Sequence, residues 1–168
     1  MSAERPGPVT RALPEDLGPV LQAHAPVLLA AARAITLDEA EAQDLVQTTF
    51  EIALRHAGDL RAPEALRRWL LTIQAREAIR VVRRLRRLVR FDTTVHDVPS
   101  AGPDAADSIA IRDALRTLSR RVRAVVVLHH MAGLSVAETA VALGISENTV
   151  KSQLKTGLAR LREELGDA

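Results

Sequence analysis

Apolar residues recur at three- and four-residue steps along most of the chain, which is the spacing that places side chains on one face of an α-helix. The first helical pattern covers residues 27–35. Asp38 is a candidate N-cap for the next helix, which we expect to end at Gly58 near His56. A long helical pattern then runs from about residue 63 to residue 90.

Residues 120–131 are ambiguous because they contain three consecutive valines, which propensity alone would also allow as a buried strand. The other segments offer no strand partner, so we expect a helix here. After it, Ser135 and Glu138 form a capping-box pattern, Gly144 interrupts the helix, and Ser146 can cap a second one. Two short helices joined through a glycine turn predict a helix-turn-helix.

Proline, glycine and aspartate divide the chain into segments. Residues 1–13 are expected to be a flexible tail and residues 91–107 a linker. The predicted fold class is therefore all-α, with two small helical domains, residues 14–90 and 108–168, joined by a flexible acidic linker.

Charge is unevenly distributed behind a net charge of +2. Residues 35–60 carry a balance of −5, residues 61–90 of +8, residues 91–107 of −4 and residues 108–168 of +3. An alternation of acidic and basic blocks indicates more than one charged partner.

Composition argues against several kinds of chemistry. The chain has no cysteine, which excludes disulfides, thiolate metal sites and cysteine nucleophiles and fits a cytoplasmic location. Its histidines lack metal-ligand spacing, and no glycine-rich phosphate loop is present, so we expect no catalytic residues, no metal and no cofactor. No apolar run is long enough to span a bilayer, and no signal peptide is visible, so no membrane insertion is expected.

Three helices carry candidate binding residues. On the second helix of the helix-turn-helix, Glu147, Asn148, Lys151, Ser152 and Lys155 share the face opposite Val150 and Leu154, as in helices that read the major groove. An ordinary solvated face is the alternative. The helix over residues 42–54 is either an amphipathic surface helix or a protein-binding one. The arginines of residues 67–90 favour phosphate, although an RNA-binding or membrane-surface helix would have a similar pattern.

Taken in order, these segments resemble an extracytoplasmic-function (ECF) sigma factor of the sigma-70 family. Residues 44–50, DLVQTTF, resemble the family's DLVQ-x-x-F helix. Residues 67–84, RRWLLTIQAREAIRVVRR, resemble the promoter-melting helices of sigma domain 2, with Gln74, Ala75 and Arg76 where the family usually has Ala-Arg-Asn. Residues 133–165 resemble the helix-turn-helix of sigma domain 4.

The resemblance implies three sets of binding residues. For the β′ clamp helices of core RNA polymerase they are Asp44, Leu45, Gln47, Thr48 and Glu51. For the −10 element they are Arg61, Trp69, Arg76, Arg80, Arg83, Arg84 and Arg87. For the −35 element they are Ser146, Glu147, Asn148, Thr149, Lys151, Ser152 and Lys155.

The function implied by the resemblance is transcription initiation: the chain would bind core RNA polymerase and direct it to promoter DNA, without enzymatic activity of its own. The polymerase β flap and an anti-sigma factor are further partners that the family suggests. Two alternatives remain open at this point. One is a helix-turn-helix regulator that binds operators, and the other is a sigma-like protein that sequesters an anti-sigma factor without initiating.

Overall fold

The computed structural model describes residues 17–60, 62–88 and 106–166. These residues fold into α-helices and short helical turns, and the expected all-α fold is confirmed. The helices are α1 (Leu17–Ala23), α2 (Ala25–Thr36), α3 (Glu39–Arg55), α4 (Leu66–Leu88), α5 (Ala106–Arg116), α6 (Arg120–Val126), α7 (Val136–Leu143) and α8 (Glu147–Leu165). The expected tail and most of the expected linker lie outside the described residues.

Side-chain caps begin three of the helices where the sequence predicted them. The Asp38 carboxylate accepts from the Glu41 N–H at 2.7 Å at the start of α3. Ser135 and Glu138 complete a reciprocal capping box at α7, and Ser146 caps α8. Each of these caps satisfies backbone N–H groups that a helix start leaves unpaired.

The α3 helix ends close to His56, as predicted, but Gly58 is not the residue that caps it. Its last residue is Arg55, His56 is the C-cap, and Gly58 lies in a short 3₁₀ turn. Gly144 terminates α7 as predicted, and its φ of 63° places it in the left-handed region.

The valine-rich segment is helical, so the strand alternative is wrong. After α6 the chain continues as one turn of π-helix, Val127–Met131. Val125 and Leu128 are fully buried, which explains the high apolar content of this segment. The wider π turn links α6 to the loop that leads into α7.

The central helix is α4, and it is buried on more sides than its sequence pattern predicts. It packs against α2 and α3 on one side and against α6, α7 and the π turn on the other. As a result Leu70, Leu71, Ile73, Gln74 and Ile79 are all buried, whereas Val81 is exposed.

The helices that precede the expected linker and those that follow it share one apolar core. The cluster of buried side chains continues from Leu21 in α1 to Leu154 in α8. Within it the fully buried Gln74 amide donates to the Leu28 carbonyl at 3.0 Å, which ties α4 to α2. Within the described part of the chain, no helix is long and apolar enough to cross a membrane.

Candidate functional site

The α3 helix presents a polar face that is open to a partner. Asp44, Gln47 and Glu51 are exposed, and Thr48 is half-buried. The Gln47 amide donates to the Glu51 carboxylate at 3.2 Å, so these two side chains are held side by side along the helix. Leu45, which the sequence placed among the binding residues, is instead only 6% exposed and packs into the core. Its contribution to this face is to hold α3 in place.

An apolar groove runs beside that polar face, between α2 and α3. Val46 and Phe50 form the α3 wall, and Pro26 and Leu29 form the α2 wall. Polar side chains line the rim: Gln22, Arg33, Gln43 and Gln47. The α2 half of this groove was missed from the sequence, because the periodicity of α2 indicates which residues are apolar but not which remain uncovered.

One further apolar side chain extends this surface. Leu54 follows Phe50 by one helical turn on α3 and is 53% exposed. Contiguous exposed apolar area with a polar rim is typical of a protein-binding surface. The helical pattern of α3 fits either a protein-binding helix or an ordinary amphipathic surface helix, and the groove favours the former.

The start of α8 forms a second exposed polar face. Val150 is fully buried and Leu154 is 8% exposed, which anchors one side of the helix in the core. On the other side Glu147, Asn148, Lys151, Ser152 and Lys155 are all exposed, as the periodicity predicts. Ser146 and Thr149 are engaged with each other, since the two hydroxyl oxygens lie 2.8 Å apart at the helix cap.

Arg76 and Arg80 of α4 are bonded to other protein groups and do not form a free basic surface. Arg76 is exposed as a residue, yet its Nε donates to the Ala142 carbonyl of α7 at 2.5 Å. Arg80 pairs with Glu77 on the same helix at 3.3 Å, and Trp69 is half-buried against the core. The side chains of Arg83, Arg84 and Arg87, and the whole of Arg61, lie outside what the structure describes.

Two arginines outside the predicted binding residues also lie on α4, and they contact residues in the second half of the molecule. Arg67 donates to the Met131 carbonyl at 3.0 Å. Arg68 pairs with the Glu138 carboxylate at 2.5 Å. The hydrogen bonds from Ser135, together with Arg68, lower the pKa of Glu138 to about 2, so this carboxylate is ionised at neutral pH. Sequence spacing gives no signal for contacts this distant along the chain.

Comparisons with known proteins identify the family. The model for sigma-70 region 2 matches residues 20–88, and the model for sigma-70 region 4 matches residues 108–161. The chain belongs to the sigma-70 family of transcription initiation factors, and its relatives place it among the ECF sigma factors. The resemblance seen in the sequence is thereby confirmed.

Two curated relatives illustrate the similarity. The chain is 38% identical to the ECF RNA polymerase sigma factor SigL of Mycobacterium tuberculosis over 159 residues, covering 85% of this chain and 86% of the relative. It is 37% identical to the RNA polymerase sigma-E factor of Streptomyces coelicolor over 141 residues, covering 82% and 79%.

Two solved structures share the fold. The sigma factor RpoE, crystallised with the anti-sigma factor NepR from Bartonella quintana, aligns with a TM-score of 0.71 at 28% identity, over 90% of this chain and 97% of that one. CnrH in complex with the cytosolic domain of CnrY aligns with a TM-score of 0.58 at 27% identity, over 89% and 86%. As a sigma factor, the chain acts with RNA polymerase on promoter DNA.

Proposed function

We propose that the exposed face of α3 and the groove beside it bind the β′ clamp helices of core RNA polymerase. The observation that carries this assignment is the combination of exposed Asp44 and Glu51 with the apolar walls formed by Val46 and Phe50. A helical partner with basic residues flanking an apolar stripe fits such a surface. Charge complementarity would orient it, and the apolar groove would supply most of the affinity.

Promoter contacts are assigned to the other two faces. The start of α8 is proposed to read the −35 element, with Asn148 and Glu147 at base edges and the lysines at phosphates or guanine. Trp69 and the arginines of α4 are proposed to contact the −10 element. The exposed position of the α8 residues supports the first assignment directly, whereas Arg76 is engaged with α7 in this structure.

Further features of the proposal follow from the family. The chain is proposed to act in the cytoplasm without catalytic chemistry of its own, while the polymerase makes the phosphodiester bonds. Contact of region 4 with the polymerase β flap is part of the same proposal. The sigma factor RpoE was crystallised with an anti-sigma factor, and CnrH with the cytosolic domain of CnrY, which supports an anti-sigma partner for this chain as well.

Binding to purified core polymerase tests the α3 assignment. Asp44→Arg reverses a charge on the proposed face, so we expect at least about a tenfold loss of affinity, measured with a labelled sigma factor. Asp59→Arg makes the same charge change at an exposed position after α3 and is the matched control. Equal binding by both variants would overturn the assignment of this face.

Run-off transcription with core polymerase and a pool of genomic DNA fragments tests the activity of the whole chain. Promoter-dependent transcripts are expected with the wild-type chain. They are expected to fall with Asp44→Arg in proportion to the loss of core binding. Absence of transcripts despite intact core binding would point to the alternative of a sigma-like protein that occupies partners without initiating.

A further inference from the structure

The first residue of α8 is an acid that lies among basic and neutral side chains. Glu147 is followed at four-residue steps by Lys151 and Lys155, so the three side chains form one row along the helix. All three are exposed. Glu147 is the only acid in residues 146–157 of the sequence. Because the lysines are proposed to contact DNA phosphates, this carboxylate would be brought close to a polyanion.

The capping of α8 does not require the acid. Ser146 Oγ accepts from the Thr149 N–H at 3.1 Å, and the two hydroxyl oxygens lie 2.8 Å apart. At the start of α7, by contrast, the acid is the third helical residue, Glu138, whose carboxylate accepts from the Ser135 N–H at 2.8 Å. Within the part of the chain that the structure describes, the Glu147 carboxylate has no such bond and no ion pair. It is therefore available to a ligand.

The four bases of DNA differ in what they offer a carboxylate in the major groove. Cytosine and adenine present an amino donor there, whereas guanine and thymine present acceptors, which repel a carboxylate. Adenine has its N7 acceptor beside the amino group, so the second carboxylate oxygen meets a lone pair. Cytosine has no acceptor at that edge, and its N4 amino group is therefore the best partner. A carboxylate at a base edge thus favours one base and disfavours the others.

We propose that Glu147 is a specificity-determining residue that selects a cytosine in the −35 element, mainly by disfavouring every other base. The inference rests on the assignment of α8 to the −35 element made above. Beside phosphates the negative charge lowers the affinity for any sequence, and the hydrogen bond from the cytosine N4 amino group offsets that loss at one base pair. Lys151 and Lys155 attract all duplexes, whereas Glu147 determines which duplex is retained.

Sequencing of the duplexes that the full chain retains from a pool with a randomised centre tests the base preference. The wild type should enrich cytosine by about tenfold over other bases at one position. Glu147→Ala should lose that preference and keep those at neighbouring positions. Glu147→Gln should change the preferred base to adenine, because an amide pairs with both N6 and N7. A purely structural role predicts no change of base. A wild type that enriches no cytosine, or an unchanged preference in both variants, would overturn the proposal.

The sign of the affinity change is a second test. On a duplex that lacks the selected cytosine, Glu147→Ala should bind about three- to tenfold more tightly than the wild type, because a repulsive charge is removed. Glu163→Ala removes the same charge from an exposed position at the other end of α8, about 24 Å along the helix axis. This control should stay within about twofold of the wild type. Equal gains by the two variants would reduce the effect to net charge and contradict the role of Glu147.

A modified base tests the same hydrogen bond from the DNA side. N4-Methylcytosine still pairs with guanine but carries a methyl group in place of the amino hydrogen in the major groove. In the selected duplex it should weaken wild-type binding about tenfold and leave the binding of Glu147→Ala unchanged. A wild type that tolerates the methyl group would contradict the bond.

The lysines distinguish this inference from the assignment on which it rests. Replacement of Lys151 and Lys155 by alanine should weaken binding of every duplex, whatever its sequence. If it does, while the Glu147 variants keep the wild-type base preference, the role of Glu147 is wrong and the α8 face still contacts DNA. If the lysine variant binds as the wild type does, the assignment of α8 fails as well. Circular dichroism and the melting temperature establish that each variant is folded.

Discussion

Arg123 shows how backbone carbonyls accommodate a buried cation. It is 8% exposed and donates to the carbonyls of Ile35, Leu115 and Leu118, at 2.8, 3.3 and 2.6 Å. The Ile35 carbonyl lies at the C-terminal end of α2 and the Leu115 and Leu118 carbonyls at that of α5. The dipoles of these helix ends stabilise the positive charge of the guanidinium. One guanidinium thereby satisfies carbonyls from both regions.

Replacement of this residue should be costly. Arg123→Met keeps a long apolar side chain but leaves the carbonyls without their donor, and each unsatisfied buried group costs about 1–3 kcal/mol. We expect the free energy of unfolding in urea to fall by about 2–4 kcal/mol. Arg121→Met, at the exposed neighbouring position, should change it by less than about 0.5 kcal/mol. Similar stability of the two variants would contradict this role.

Glu138 gives the molecule a stability term that depends on pH. Its pKa in the folded protein is about 2, below the ordinary value of 4.5, because it accepts from Ser135 and pairs with Arg68. The stabilisation is therefore fully present above pH 4.5 and is lost as the pH falls towards 2. Thermal unfolding of wild type and Glu138→Gln should differ most near neutral pH and converge through this window. Parallel curves would show that the carboxylate is not responsible.

At the scale of the helix, close packing of α8 on α6 depends on Gly157. A Cβ atom at this position would lie 2.8 Å from Val122 Cγ1 and 3.2 Å from Val126 Cγ2. Gly157→Ala should therefore reduce stability by about 1–3 kcal/mol through overpacking, although alanine has the higher helix propensity. A melting experiment measures this, and Val122→Ala in the same chain should recover part of the loss.

Gly58→Ala is the matched control, because an added Cβ there has nothing within 4 Å. It should leave the melting temperature unchanged or slightly raised, since it restricts the unfolded chain. If Gly157→Ala behaved in the same way, the contact between α6 and α8 would have to be looser than described.

The helices whose limits are set by local chemistry were predictable from the sequence. Asp38, Ser135 with Glu138, and Ser146 bond to backbone within three residues of themselves, so the sequence pattern alone identifies them. The burial of α4 was not predictable in the same way. Gln74 and Leu71 are buried because helices on two sides cover α4, and that arrangement depends on packing between residues distant in the chain.

The whole molecule uses its charge blocks differently from what their positions in the sequence suggest. The basic block of residues 61–90 was expected to be a DNA surface, yet three of its arginines bind groups of region 4. From the acidic block, Glu41 pairs with Arg120 of α6, whereas Asp44 and Glu51 are exposed. Sequence patterning identified the exposed α8 face correctly, because Val150 and Leu154 anchor the opposite side of that helix.

That exposed α8 face leads to a prediction about salt dependence, in which Lys151 and Lys155, the only lysines of the chain, contact DNA phosphates. Each phosphate contact adds about 0.9 to the slope of log affinity against log salt concentration. The Lys151→Ala and Lys155→Ala double variant should therefore bind a short duplex more weakly and with a slope smaller by nearly 2. Fluorescence anisotropy over a series of salt concentrations measures both quantities. Arg162→Ala, at the exposed far end of the same helix, should keep the wild-type slope, because it lies away from the first turns that enter the groove. Equal slopes for the wild type and the lysine variant would place the phosphate contacts on another face.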